Sequence, residues 1–174
     1  MNTAILFRLS ALAALLAGTL RMAVALPLPL GEASLQWLYI GIDALLVFGL
    51  IGIYLNRAPE LGFLGLASFA VAMAALSFIG GPDSDPFGFS TYQEGAAALA
   101  IAMVGFSIAW LRTNQRPLWP ALLWFASVVA AGVLGMIPPL AAYGLTVGGA
   151  LFGAGFVAAG LDLLNASASG SRAP

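Results

Sequence analysis

The fold is decided by residues 34–80, SLQWLYIGIDALLVFGLIGIYLNRAPELGFLGLASFAVAMAALSFIG, where a short polar run separates two long apolar stretches. The hydrocarbon core of a bilayer is about 30 Å thick, and a helix needs roughly 20 apolar residues to cross it. Residues 34–55 and 60–80 each meet that length, and residues 56–59 between them have the composition of a tight turn. The segment therefore predicts two membrane-spanning helices joined as a hairpin.

The same alternation of long apolar stretches and short breaks rich in proline, glycine and polar residues extends over the whole chain. It predicts six spans, at residues 3–26, 34–55, 60–80, 91–111, 118–137 and 139–164. We therefore expect an all-α, polytopic six-helix transmembrane bundle with short loops over residues 1–164, followed by a flexible polar tail at 165–174. An alternative takes residues 1–25 as a cleaved signal peptide, which would leave five helices.

The overall composition excludes several other classes of protein. The chain has 174 residues, of which 61% are hydrophobic and 7% charged, and its mean hydropathy is +1.01. Ordinary soluble domains carry about 25% charged residues, so a soluble globule is excluded, and so is a disordered chain. A net charge of −1 without a basic cluster also argues against binding to nucleic acid. The expected surroundings are a lipid bilayer.

The residue types that are missing narrow the chemistry further. The chain contains no histidine, cysteine or lysine. It therefore lacks the usual ligands of zinc, copper, haem and iron–sulfur centres, the base of a Ser–His dyad and the amine of a Schiff base. We expect no catalytic residues, no metal and no cofactor.

Arginine placement predicts the orientation, because cytoplasmic loops are enriched in basic residues. The expected cytoplasmic arginines are Arg8, Arg57, Arg112, Arg116 and Arg172. The opposite loops carry Glu32, Asp83 and Asp85 and no arginine. Both termini are therefore expected on the cytoplasmic side of the plasma membrane, which is the inner membrane of a bacterium.

Two charged residues fall inside predicted spans, where charge is costly and needs a partner or a role. Arg21 lies about 8 Å and Asp43 about 10 Å from the outer ends of neighbouring helices, at about 1.5 Å of rise per residue. We expect the two to pair, either as a structural ion pair or as a pair that anchors substrate or couples transport in an outward-facing cavity. Glu94, Tyr39 and Tyr143 complete this candidate polar cluster, although Glu94 also suits the first turn of a helix.

Two features of the last span concern helix packing. Asp162 lies near its inner end, where we expect a structural tie to an arginine such as Arg8 or Arg112. The pairs Gly144/Gly148 and Gly149/Gly153 have the spacing that allows close approach of transmembrane helices. They predict packing within the bundle or, alternatively, a homodimer interface.

Residues 49–69, GLIGIYLNRAPELGFLGLASF, resemble a hairpin of small uncharacterised bacterial multi-pass membrane proteins. In these an apolar helix ends in a Tyr-Leu-x-Arg turn and resumes with Leu-Gly-x-Leu-Gly. The resemblance implies membrane integration and no particular activity, cofactor or substrate.

The functional prediction is a non-enzymatic integral membrane protein with a structural, accessory or partner-binding role. The alternative is a small transporter or substrate-capture subunit whose outward cavity is lined by Arg21, Asp43 and Glu94. The sequence names neither a protein partner nor a small-molecule ligand.

Overall fold

The computed structural model describes residues 3–79, 88–114 and 116–169, and these residues are helical apart from short connections. Their helices are α1 Thr3–Ala23, α2 Glu32–Ile79, α3 Thr91–Thr113, α4 Trp119–Met136 and α5 Ala141–Ser169. All five are long and apolar enough to cross a membrane. Asp83, Asp85 and Arg172, used above to predict orientation, lie outside the described residues.

The second helix joins the second and third predicted spans, so the described residues form five helices where we expected six. Its backbone breaks at Gly62, with φ 60° and ψ −161°, a combination that is essentially restricted to glycine. The predicted turn at residues 56–59 is helical instead. The turn predicted at residues 56–59 therefore lies a few residues before the observed break. The break falls at Gly62 because glycine can adopt this backbone conformation.

The two parts of α2 fold back on each other. The rings of Tyr54 and Phe69 are stacked, with centroids 4.2 Å apart and planes at 8°. A straight helix would separate these residues by about 22 Å at 1.5 Å per residue. The helix is therefore a hairpin, with a first arm at residues 32–61 and a second arm at 63–79.

Helices that pack most extensively on each other run antiparallel. α1 packs on α2 and α5, α3 packs on α2 and α4, and α4 packs on α5, while a smaller contact joins α2 to α5. In the first pair, Gly49 lies against Ala14 and Gly52 against Ser10, so residue numbers rise in one helix as they fall in the other. Within the described part of the chain, α1 and α3 do not contact each other.

Glycines of α5 pack against two neighbours within the same chain. A Cβ on Gly144 or Gly148 would meet backbone oxygens of α4, at Ala131 and Ser127 respectively. Gly153 faces the carbonyl oxygen of Gly18 in α1. Gly149 lies beside the Arg21 guanidinium, at the edge of the same contact. The glycine pattern therefore brings α5 close to both α1 and α4, as expected for packing inside a bundle.

Aromatic rings fill the space between α3, α4 and α5. Trp124 makes edge-to-face contacts with Phe106, Trp110 and Phe156, at centroid distances of 5.9, 5.9 and 5.2 Å. Such geometry is favourable between aromatic rings. Gly155 leaves the space that the Trp124 indole occupies.

The outward faces of the helices carry large apolar side chains. The most exposed are Phe63, Met136 and Leu145, each at least 84% exposed, and many others accompany them. An apolar surface this extensive is unsuited to water and is compatible with contact with a lipid bilayer.

The helix ends differ modestly from the predictions. α1 stops at Ala23, three residues before the predicted end. α5 continues to Ser169, so the first part of the predicted flexible tail, from Asn165, is helical. Residues 170–174 lie outside the described part of the chain.

Candidate functional site

Arg57 is the most completely buried charged residue that the structure describes, with 1% of its surface exposed. Its Nη2 donates a hydrogen bond to Oδ2 of Asp162 at 2.8 Å and another to the carbonyl oxygen of Arg116 at 3.2 Å. Its guanidinium lies 4.0 Å from the centroid of the Trp110 ring. We call Arg57, Glu60, Trp110 and Asp162 the Arg57 centre.

This centre connects most of the bundle at one end. Arg57 belongs to the first arm of α2, Trp110 to α3 and Asp162 to α5. The Trp110 indole Nε1 also donates to the carbonyl oxygen of Pro117, in the connection to α4. A single guanidinium therefore holds three helices and one loop together by charge, hydrogen bonds and ring contact.

The hydrogen bonding of Arg57 is incomplete. Nε and Nη1 are buried and have no hydrogen-bond acceptor. Oε2 of Glu60 lies 3.7 Å from Nη1, which permits charge attraction but is too long for a hydrogen bond. Because a buried charge is expensive unless it is paired, the centre depends strongly on the Asp162 carboxylate.

The predicted tie at Asp162 is present, but its partner was predicted wrongly. We expected Arg8 or Arg112, whereas the carboxylate binds Arg57. The sequence places Arg57 in a predicted turn, where an arginine is normally solvated. Depth in the membrane could have identified Arg57 as the partner of Asp162. The turn that carries Arg57 and the end of the span that carries Asp162 were both predicted on the inner side.

At the opposite end of the bundle, Arg21 and Asp43 do not form the expected direct ion pair. The two ion pairs within 4 Å in the described residues both involve Arg57. The Arg21 guanidinium lies 5.8 Å from the centroid of the Tyr39 ring, within the range of a cation–π contact. Asp43 is half-buried and experiences the charge of Arg21 from a longer distance. We call Arg21, Tyr39, Asp43 and Gly149 the Arg21 group.

The other two members of the predicted cluster are Glu94 and Tyr143. Glu94 is in the first turn of α3, which does not contact α1 in the described residues, so it does not join Arg21. Tyr143 is 60% exposed near the start of α5. The structure thus brings Arg21 together with Tyr39 and places Asp43 near them, but it separates Glu94 from the group.

Two cavities have volumes of about 500 Å³. The first, which we call the α2–α3 groove, is lined by Val71, Ala74, Ala75, Phe78, Phe89, Thr91, Glu94, Gly95 and Ala98. The second lies near the Arg57 centre and is lined by Glu60, Leu61, Phe63, Leu64, Ala109, Arg112 and Thr113. Neither Arg21 nor Asp43 lines either cavity.

In residues 3–79, 88–114 and 116–169, no three acidic side chains are grouped so that they could hold a metal ion. The chain matches no family model, and no curated protein or solved structure is similar enough to count as a match.

Proposed function

We propose that this chain is an integral membrane protein that crosses the bilayer six times and has a structural, accessory or partner-binding role rather than a catalytic one. The observation that carries the proposal is the hairpin in α2. A bilayer core of about 30 Å accommodates roughly 20 helical residues, and the Tyr54–Phe69 stack shows that the two arms lie side by side. Each arm of α2 supplies one crossing, so the five described helices cross the bilayer six times.

The distribution of charge supports cytoplasmic termini. Arg57 donates a hydrogen bond to the backbone carbonyl oxygen of Arg116 at one end of the bundle, and Arg112 lines a cavity at the same end. The start of α1 and the end of α5 lie toward this end, because Gly52 packs against both Ser10 and Leu163. The basic end of a membrane protein faces the cytoplasm, so both termini would lie there.

The use of the buried charge supports a non-catalytic role. Arg57 and Asp162 are engaged with each other, and their contacts hold helices together. The transporter alternative requires a cavity at Arg21 and Asp43, and neither of the two cavities described above supplies it, because both are lined by other residues.

Single cysteine substitutions would test the number of crossings, since the native chain has no cysteine to give background labelling. We would place them at the exposed residues Ser34, Phe63 and Gln93 and label intact cells with a membrane-impermeant maleimide. Six crossings predict labelling of Ser34→Cys and Gln93→Cys from outside, and of Phe63→Cys only after permeabilisation. If Ser34→Cys and Gln93→Cys label from opposite sides, α2 crosses once and the proposal fails.

A ligand screen would test the role. Purified protein in mild detergent would be melted against a broad set of water-soluble metabolites. A ligand at 100 times its dissociation constant adds about 2.7 kcal/mol of stability, so transport or capture of one of them would be visible. We expect no stabilisation, and a reproducible shift that is lost in Asp43→Asn would favour the transporter alternative.

A further inference from the structure

We propose that the α2–α3 groove binds a membrane lipid whose head group carries an ammonium, with an acyl chain in the groove and the ammonium on the Glu94 carboxylate. This inference rests on the proposed membrane location. It assigns a ligand class to a cavity that lies apart from both the Arg57 centre and the Arg21 group.

The groove lies over a close contact between two helices, where Gly95 packs against the carbonyl oxygen of Ala75. Ala74 and Ala75 come from the second arm of α2, and Gly95 and Ala98 from α3. The larger side chains of Val71 and Phe78 border the gap. Its volume of about 500 Å³ falls within the range of about 300–1,000 Å³ that is typical of small-molecule sites.

The direction of the groove suits an acyl chain. Its lining extends from Val71 to Phe78 on one helix and from Thr91 to Ala98 on the other, or about 10 Å along each axis at 1.5 Å per residue. The groove therefore runs along the helices, which is the direction that lipid chains take in a bilayer crossed by these helices.

The polar end of the groove favours a cationic head group. Among the described residues that line the groove, Glu94 is the single charged one, and it lies in the first turn of α3, where a spanning helix reaches the membrane surface. Its side chain is exposed, and no arginine in the described residues lies within ion-pairing distance of it. A carboxylate at the end of an apolar groove attracts an amphiphile with a positive group at one end and disfavours an anionic head.

Lipid competition would test this assignment. The full-length protein would be reconstituted in nanodiscs of equimolar phosphatidylethanolamine and phosphatidylglycerol with identical acyl chains, and the lipids retained after mild detergent extraction would be counted by native mass spectrometry. From the size of an exposed ion pair, we expect phosphatidylethanolamine to be enriched about two- to fivefold over the bulk ratio. Glu94→Gln should return the ratio to that of the bulk while lipid is still retained.

A matched pair of variants separates the groove from the rest of the lipid-facing surface. Ala74→Phe places a ring in the groove and should abolish the retained lipid. Ala97→Phe adds the same ring at an exposed position of α3 outside the groove and should behave as the wild type.

The proposal would be overturned by retention of both lipids in the bulk ratio by the wild type, by an unchanged preference in Glu94→Gln, or by equal retention in the two phenylalanine variants. Failure of the protein to enter nanodiscs at all would instead contradict the proposed membrane location, so the two failures can be told apart.

Discussion

The two ends of the bundle treat an arginine and an aspartate in opposite ways. In the Arg57 centre the guanidinium is 1% exposed and donates directly to Asp162 at 2.8 Å. In the Arg21 group both charged residues are half-buried and no contact within 4 Å joins them. The comparison indicates that full burial of a charge requires a direct partner, whereas a half-buried arginine can be accommodated by a cation–π contact with an aromatic ring.

The largest expected effect comes from removing the buried guanidinium. Arg57→Ala leaves Asp162 without its partner, and breaking a buried pair in this way costs about 3–5 kcal/mol. Unfolding by SDS titration from mixed micelles would measure the loss. Arg112→Ala, at an exposed arginine near the same end, should change stability by less than about 1 kcal/mol. Equal losses of unfolding free energy in the two variants would show that the buried contacts of Arg57 do not stabilise the fold.

The next largest effect is expected at the close backbone contact between α1 and α5, near Arg21. Gly18→Ala would push a methyl group into the carbonyl oxygen of Gly153, and overpacking of this kind costs about 1–3 kcal/mol. Gly41→Ala, in α2 with open space around it, is the control. Since alanine is the better helix former by up to about 1 kcal/mol, the control should be neutral or stabilising. A neutral Gly18→Ala would contradict the close packing.

A third substitution probes the hairpin next to the Arg57 centre. Gly62 has a positive φ and open space around it, so Gly62→Ala introduces backbone strain without a clash. Strain of this kind costs about 1–3 kcal/mol. Gly132→Ala also has open space but lies inside α4, and is expected to be neutral or slightly stabilising. Thermal unfolding in detergent would compare the stability of the two variants. Equal unfolding temperatures would argue against the backbone break at Gly62.

The smallest effect concerns the Arg21 group. A double-mutant cycle with Arg21→Ala and Asp43→Ala should give a coupling energy of about 0.5–1 kcal/mol, the size usual for polar interactions between transmembrane helices. The parallel cycle with Arg57→Ala and Asp162→Ala should give a clearly larger value. If the Arg21–Asp43 coupling equals or exceeds it, the two ends do not differ as the structure indicates.

Much of the fold was predictable because the bilayer imposes a length that can be counted along the chain. The starts of α1 and α3 agree with the predicted spans, and α4 agrees within one residue at each end. The turn in α2 was less predictable. Pro59 and Asn56 are the stronger turn residues by composition, yet the backbone breaks at Gly62, because a break depends on which residue can adopt the required φ and ψ.

The candidate site was less predictable than the fold. Depth along a helix could be estimated for Arg21, Asp43 and Asp162, but pairing also depends on the direction in which each side chain points around its helix axis. One residue changes that direction by about 100°, so a small error in rotation replaces one partner with another. For this reason the tie at Asp162 was expected and its partner Arg57 was missed.

By itself, the sequence determined the helical class, the compatibility with a membrane and the approximate helix lengths, because apolar length and the scarcity of charge are properties of individual segments. Only the tertiary structure decided that Arg57 is buried against Asp162, that α5 places its glycines against two different helices, and that Glu94 lines a groove on a helix that, within the residues described, does not contact the helix of Arg21. These are properties of pairs of helices, and they follow from helix rotation and close packing, which no single segment encodes.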